Sequence, residues 1–203
     1  MKLPRPLSAV LLCAALLGSC TKAPQISALA NEDVVLAFGD SLTFGTGASA
    51  SESYPAQLQT LIGRKVVNAG VPGEISGDGL QRLPEVLDEV KPKLLILCHG
   101  GNDFMRKLGE ANAAANVRAM IKLAKDKGIG VVLMATPKPG LSISPPDFYA
   151  GLAKEFAIPF DDSVLKSVLR DNDLKSDLIH PNAKGYAQIA ESLAKLLKRS
   201  GAT

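Results

Sequence analysis

The sequence predicts one doubly wound, three-layer α/β/α domain built on a mainly parallel five-stranded sheet. Three observations carry that expectation. Short continuous apolar runs rich in Val, Ile and Leu recur at 34–38, 65–69, 94–98, 129–135 and 158–160. Stretches with helical spacing lie between several of them. Polar segments containing glycine follow directly on the first three runs. Strands that are apolar on both faces belong to sheets covered by helices on both sides, and such sheets are parallel.

The elements follow in order. Lys2 and Arg5 precede an apolar stretch at 7–17, too short for the roughly 20 residues of a membrane-spanning helix. A basic start and a short apolar core read as an export signal over residues 1–19, which is set apart from the fold. Residues 20–33 are polar and alanine-rich with Pro24, the composition of a flexible tether of roughly 20 Å. The domain is expected over 34–203. Its first strand, Val34 to Phe38, ends in Gly39-Asp40-Ser41-Leu42-Thr43, and its second leads into Asn68-Ala69-Gly70-Val71-Pro72-Gly73. Apolar residues at 80, 83, 86, 87 and 90 predict a helix over 80–90, with Pro84 marking a kink or a late start. The third strand, Leu94 to Cys98, opens into His99-Gly100-Gly101-Asn102-Asp103. An amphipathic helix over 112–127 is closed by Gly128, a C-cap residue. The fourth strand leads to a proline-rich loop at 136–146. The last helix, 182–199, aligns Ile189, Leu193, Leu196 and Leu197 and ends in Lys and Arg, as the helix dipole favours.

Composition excludes several functions. The 203-residue chain has a formal net charge of +3, and losing Lys2 and Arg5 with the signal lowers it to +1. No basic excess, arginine-rich run or aromatic interleaving suggests nucleic acid. Of three cysteines, Cys13 lies in the signal and Cys20 at its end. Cys98 stands alone on an apolar strand, where cysteine most often fills core. No internal disulfide and no Cys/His metal spacing is available, so neither a metal nor a cofactor is expected.

The chemistry-bearing residues are few. Asp177-Leu178-Ile179-His180, followed by Pro181, holds one of only two histidines, with a carboxylate three positions upstream. Activating a serine requires a base and a group that fixes the base's tautomer. Ser41 lies just past a predicted buried strand, and ligands of doubly wound sheets bind outside the carboxyl ends of the strands. Topology therefore brings the segments after the first three strands to one edge. Rival readings exist. His99 also follows a strand directly and could be the base, although only Asp103 lies near it; packing beside the site is its simpler role. Asp171 or Asp173 could replace Asp177 as the orienting carboxylate. Asn102 could merely cap a helix, and Asp40 is expected to bind local backbone. Ser163-Val164-Leu165-Lys166 lacks the companion K-T-G, Thr43 breaks a G-x-S-x-G elbow, and no G-K-[ST] phosphate loop occurs.

Four segments in order, Phe38-Gly39-Asp40-Ser41-Leu42-Thr43, Gly73, Gly100-Gly101-Asn102-Asp103 and Asp177-Leu178-Ile179-His180-Pro181, resemble the SGNH (GDSL) hydrolase family, and within it the bacterial acylesterase, thioesterase and lysophospholipase group. The resemblance implies a flavodoxin-like fold and an acyl-ester hydrolase. It implies Ser41 as nucleophile, His180 as base and Asp177 as its orienting carboxylate. The N–H groups of Ser41 and Gly73 and the amide of Asn102 would form the oxyanion hole. Leu17-Gly18-Ser19-Cys20 likewise resembles the lipobox of bacterial lipoproteins. That resemblance implies cleavage before Cys20 and a diacylglyceryl group on its sulfur; an ordinary secretory signal is the alternative. Each buried methylene contributes roughly 0.8 kcal/mol, and lasting attachment needs more than one chain. Thr21 in place of Asp after Cys20 implies an outer-membrane protein facing the periplasm.

Phe44 to Ala48 and Ile75 to Asp78 are expected to line the cleft, with the 136–146 loop as one wall of an acyl pocket for short to medium chains. Acyl-CoA is absent from the periplasm, which favours oxygen esters or lysophospholipids over thioesters. One alternative is an O-acetyl esterase acting on saccharides; its shallow aromatic cleft fits poorly with a chain that is 4% aromatic and has no Trp. Another is a binding lipoprotein that keeps the fold without turnover, against which the complete residue set counts. A monomer is the default expectation.

Overall fold

The computed structural model describes residues 24–140 and 143–203. Its sheet contains β1 (Val34–Gly39), β2 (Lys65–Gly70), β3 (Leu94–Cys98), β4 (Gly130–Met134) and β5 (Phe160–Asp161), in the order β2-β1-β3-β4-β5 with every pair parallel. All carboxyl ends therefore point one way. Helices α1 (Ser41–Phe44), α2 (Tyr54–Ile62), α3 (Ser76–Val90), α4 (Gly101–Met105), α5 (Glu110–Asp126), α6 (Phe148–Phe156), α7 (Val164–Arg170) and α8 (Ala183–Arg199) complete the expected α/β/α layers.

Side-chain alternation along the strands sorts the core into two halves. Val35 and Ala37 of β1, Leu94, Ile96 and Cys98 of β3, and Val132 and Met134 of β4 pack with α2, α7 and α8. Leu36, Phe38, Leu95, Leu97, Val131 and Leu133 pack on the other face with α3, α5 and α6. Both faces of the central strands are thus dry, at roughly 1.5–3 kcal/mol for each fully buried large aliphatic. This is why those runs read as unbroken apolar sequence.

Three boundaries differ from expectation. Helix α3 starts at Ser76, one turn earlier than 80, and carries Pro84 inside it. Pro84 sits on the exposed face, where the missing N–H is cheapest to lose. Strand β5 covers only Phe160–Asp161, because Pro159 has no N–H for a ladder and enters the sheet only through its carbonyl, which accepts from Leu133 N–H at 3.0 Å. Part of the expected 20–33 tether is also docked on the fold. Ile26 N–H donates to Ser200 C=O and Leu29 N–H to Ala202 C=O, each at 2.8 Å, and Leu29 is buried in the core. Residues from Ile26 onward are therefore part of the folded body. Helices α5 and α8 fall within two residues of expectation: Gly128 adopts φ +73 just past α5, and Asn182 Oδ1 caps α8 by accepting from Gly185 N–H at 3.1 Å. No helix among the described residues is long and apolar enough to cross a membrane.

Candidate active site

Strand β1 delivers Ser41 to the sheet's carboxyl edge. The strand ends at Gly39, where a Cβ would collide with the backbone of Cys98 on β3. Asp40 then caps the single turn of α1, its Oδ1 accepting from Leu42 N–H at 3.0 Å. Burial raises the Asp40 carboxyl above its ordinary range, with the nearby histidines opposing. Ser41 is the first residue of that turn, and Gly45, in the left-handed region, stops it.

The partner of Ser41 arrives from 139 residues away. His180 Nε2 lies 3.0 Å from Ser41 Oγ, and His180 Nδ1 lies 2.7 Å from Asp177 Oδ2. Asp177 Oδ1 also accepts the N–H groups of Ile179 and His180, each at 2.8 Å. Partial burial opposes the Asp177 charge, but the hydrogen bonds outweigh it and lower the carboxyl below its usual range. An ionised Asp177 accepts only, so Nδ1 carries the proton and the Nε2 lone pair faces the serine hydroxyl. The turn itself is pinned. Ser176 N–H donates to His180 C=O at 3.0 Å, and Tyr186 of α8 donates to Thr46 C=O at 2.8 Å. Gly47, at φ +98, leaves no room for a side chain against Ser176 and Pro181.

The other expected residues gather at the same edge. Asn102 is the second residue of α4, behind the cap residue Gly100, which takes φ +111. Its Nδ2 donates to Glu74 C=O at 2.9 Å and to Asp40 Oδ2 at 3.2 Å. Gly73, at φ +78, lies in the turn after β2 with its carbonyl accepting from Arg106 Nη2 at 2.8 Å. Among the described residues, neither Ser41 N–H nor Gly73 N–H has a protein acceptor. Asp103 fastens this turn to α4 by accepting Ser76 N–H at 2.8 Å and Ser76 Oγ–H at 2.6 Å.

The rivals are placed elsewhere. His99 is fully buried and its Nε2 meets Glu74 Oε2 at 3.0 Å, not Ser41. Asp171 accepts from Asp173 N–H, and neither residue bonds His180. Ser163 binds Asp161 at the start of α7. Burial raises the Cys98 thiol, which lies 3.7 Å from Thr136 Oγ1. No group of three or more His, Cys, Asp or Glu among the described residues could hold a metal ion.

A cavity of about 370 Å³ opens beside Ser41 and His180, with Asn102 in its wall. Its apolar lining comes from Met105, Pro137, Pro139, Ile143, Leu169 and Leu178. The 136–146 loop supplies part of this wall as expected, apart from 141 and 142, which lie outside the described residues. Residues 44–48 and 75–78 do not line it. After α1 the chain turns back toward α2 and α8, and Ile75 and Ser76 begin α3 against Asp103. Met105, Leu169 and Leu178 replace them. Leu178 carried the one readable signal, an apolar side chain in a polar turn, and is 86% exposed.

The profile of the GDSL-like Lipase/Acylhydrolase family matches residues 37–188. The chain belongs to that family. It is 32% identical over 174 residues to the thioesterase 1/protease 1/lysophospholipase L1 of Escherichia coli K12, covering 82% of this chain and 84% of that protein. It is 31% identical over 174 residues to the arylesterase of Vibrio mimicus, covering 80% and 87%. Among solved structures, the esterase AlinE4 of the SGNH-hydrolase family superposes with a TM-score of 0.66 at 32% identity, over 85% of this chain and 98% of that one. TesA gives 0.73 at 27% identity, over 82% and 98%. Membership places the chain among ester-hydrolysing enzymes.

Proposed function

We propose that this family member is a serine hydrolase that cleaves carboxylic esters of short to medium acyl chain through an acyl-enzyme. The observation that carries the reading is the unbroken relay Ser41–His180–Asp177, at 3.0 and 2.7 Å, opening on an apolar cavity. In the first half, Ser41 Oγ attacks the acyl carbonyl carbon while His180 Nε2 takes its proton and Asp177 stabilises the imidazolium. The carbonyl oxygen becomes an oxyanion, received by the N–H groups of Ser41 and Gly73 and by the Asn102 amide. Collapse breaks the ester C–O bond, and His180 returns the proton to the leaving alcohol. In the second half, water attacks the acyl-enzyme with His180 again as base, and the acid leaves as Ser41 regains its proton.

A cavity of about 370 Å³ is at the low end of the roughly 300–1,000 Å³ of ligand pockets, which suits one chain of modest length. Lysophospholipids and thioesters are further candidates, since the E. coli relative is named for both activities. The apolar wall favours acyl chains over the acetylated saccharides of the alternative reading. A lipid anchor on Cys20, which lies outside the described residues, would hold the enzyme as a monomer at the periplasmic side, at the outer membrane by the choice of Thr21.

The test is hydrolysis of p-nitrophenyl esters from C2 to C16 by the purified protein beside Ser41→Ala. Activity peaking between C4 and C10 and lost in the variant is expected. Cleavage of acetate alone would move the assignment to an O-acetyl esterase. No hydrolysis of any ester by folded protein would leave the binding lipoprotein.

A further inference from the structure

Behind Asn102 lies a second carboxylate–histidine pair that the proposed reaction does not use. Glu74 and His99 are both buried, and His99 Nε2 meets Glu74 Oε2 at 3.0 Å. Gly100 N–H donates to His99 Nδ1 at 3.1 Å, so Nδ1 accepts and the ring proton sits on Nε2, donated to the carboxylate. Arg82 of α3 closes the other side of Glu74 with two bonds of 2.8 Å, Nε to Oε1 and Nη2 to Oε2. The same guanidinium donates to Ala69 C=O at 3.1 Å and lies 4.2 Å above the Phe38 ring. It therefore ties Glu74 to the carboxyl ends of both β1 and β2. Gly79 makes the fit possible, since a Cβ there would strike His99 Nε2.

The residue so tightly held by its side chain has a second task in its backbone. Glu74 C=O is the nearer acceptor of the Asn102 amide, at 2.9 Å. An amide that donates one N–H to a fixed carbonyl has its plane set, and the direction of the other N–H is set with it; that second N–H is accepted by Asp40 Oδ2 at 3.2 Å, the longer of the two bonds and the one a developing oxyanion would replace. Electrostatic stabilisation of a developing oxyanion depends on donors that are already aimed before the reaction begins.

We propose that His99 and Arg82 are positioning residues: by clamping the Glu74 side chain they fix its carbonyl, and that carbonyl aims the Asn102 amide at the oxyanion. The proposal rests on the reading of Asn102 as an oxyanion donor. Neither residue touches substrate, because the cavity beside Ser41 is lined by neither. Ion pairs that bury a carboxylate this way seldom add much net stability over an apolar replacement, so their effect is expected in the rate.

The experiment is a double-mutant cycle on p-nitrophenyl butyrate, with kcat and KM measured for His99→Leu, Asn102→Ala and the pair, and with His99→Gln as the conservative variant. Removing an oxyanion donor outright lowers kcat by about 10²–10³-fold, and mis-aiming it is expected to lower kcat roughly tenfold or more, with KM within about twofold. His99→Leu added to Asn102→Ala should cost no more than about a further twofold, because residues acting through one another are not additive. His99→Gln, which can again donate to Glu74, should recover most of the rate. Full kcat in His99→Leu, or a loss that multiplies with that of Asn102→Ala, would overturn the proposal while leaving the donor role intact. Wild-type kcat in Asn102→Ala would instead remove the donor reading, and this proposal with it. Should His99→Leu fail to fold, Arg82→Lys, which keeps the charge and loses the paired geometry, is expected to show the same split and the same non-additivity, and additive losses in it would overturn the proposal equally.

Discussion

Two carboxylate–histidine pairs stand at the carboxyl edge of this sheet, and only one of them meets a serine hydroxyl. Asp177–His180 and Glu74–His99 have similar contact distances, 2.7 and 3.0 Å. They differ in what the second ring nitrogen meets. His180 Nε2 faces the Ser41 hydroxyl across 3.0 Å, whereas His99 Nδ1 is filled by Gly100 N–H. They differ also in access, for the Asp177 side chain is 53% exposed while His99 is fully enclosed. A histidine beside a carboxylate is thus not a base by virtue of its neighbour. It becomes one when its other nitrogen keeps a lone pair aimed at a hydroxyl, with room for a substrate beside it.

The sharpest way to break the comparison is to remove each histidine. His180→Ala is expected to lower kcat by about 10⁴–10⁶-fold, the scale seen when a triad base is lost, far beyond the roughly tenfold effect of His99→Leu. Comparable losses in the two variants would erase the distinction. Asp177→Asn comes next. It leaves the geometry but can present the wrong face to Nδ1, which is expected to lower kcat by roughly 10³–10⁴-fold, and p-nitrophenyl ester kinetics at saturating substrate measure it.

The pairs should also separate by pH. Burial opposes the Glu74 charge, but the hydrogen bonds from Arg82 and His99 and the Arg82 charge outweigh it and lower its carboxyl to about 2. Its folded value lies below its unfolded one, so the stability it contributes is present above about pH 4.5 and is lost as pH falls toward 2. Thermal melts of the wild type between pH 6 and 3 should fall more steeply than those of Glu74→Gln. Parallel curves would mean that Glu74 is not ionised in the way the pair requires.

The difference between the two pairs also explains what could be read from the sequence. Asp177, His180 and Ser41 lie in compact local patterns that also carry the family resemblance, and the central strands announce themselves because both faces are buried. Glu74–His99–Arg82 leaves no such trace. Its members fall in three separate elements, and each alone reads as an ordinary charged or packed residue. Helix α2 was legible in principle through Pro55 near its start and Gly63 at φ +61 past its end, but α1 and α4 are too short to show periodicity. The docking of residues 26–29 was hidden because its hydrogen bonds join backbone to backbone, which no side-chain pattern encodes. The cavity wall was misplaced for a related reason. Residues 44–48 follow Ser41 in sequence, yet Gly45 and Gly47 turn them away from it.

Leu178 offers the smallest and most selective probe, because it sits inside the Asp177–His180 turn without joining its hydrogen bonds. Its side chain borders the cavity and is 86% exposed without substrate. An apolar residue held in water gains only when something apolar covers it, and a bound acyl chain would do so. Truncation to Ser should therefore leave the Asp177–His180 bonds and kcat nearly unchanged, while weakening capture of longer chains by about 1 kcal/mol, roughly fivefold in KM. The effect should grow from C4 to C10 esters and vanish for acetate, which is too short to reach it. A uniform loss of kcat across chain lengths would mean that Leu178 supports the turn rather than the substrate, and would return the outer wall of the acyl pocket to Met105 and the proline loop.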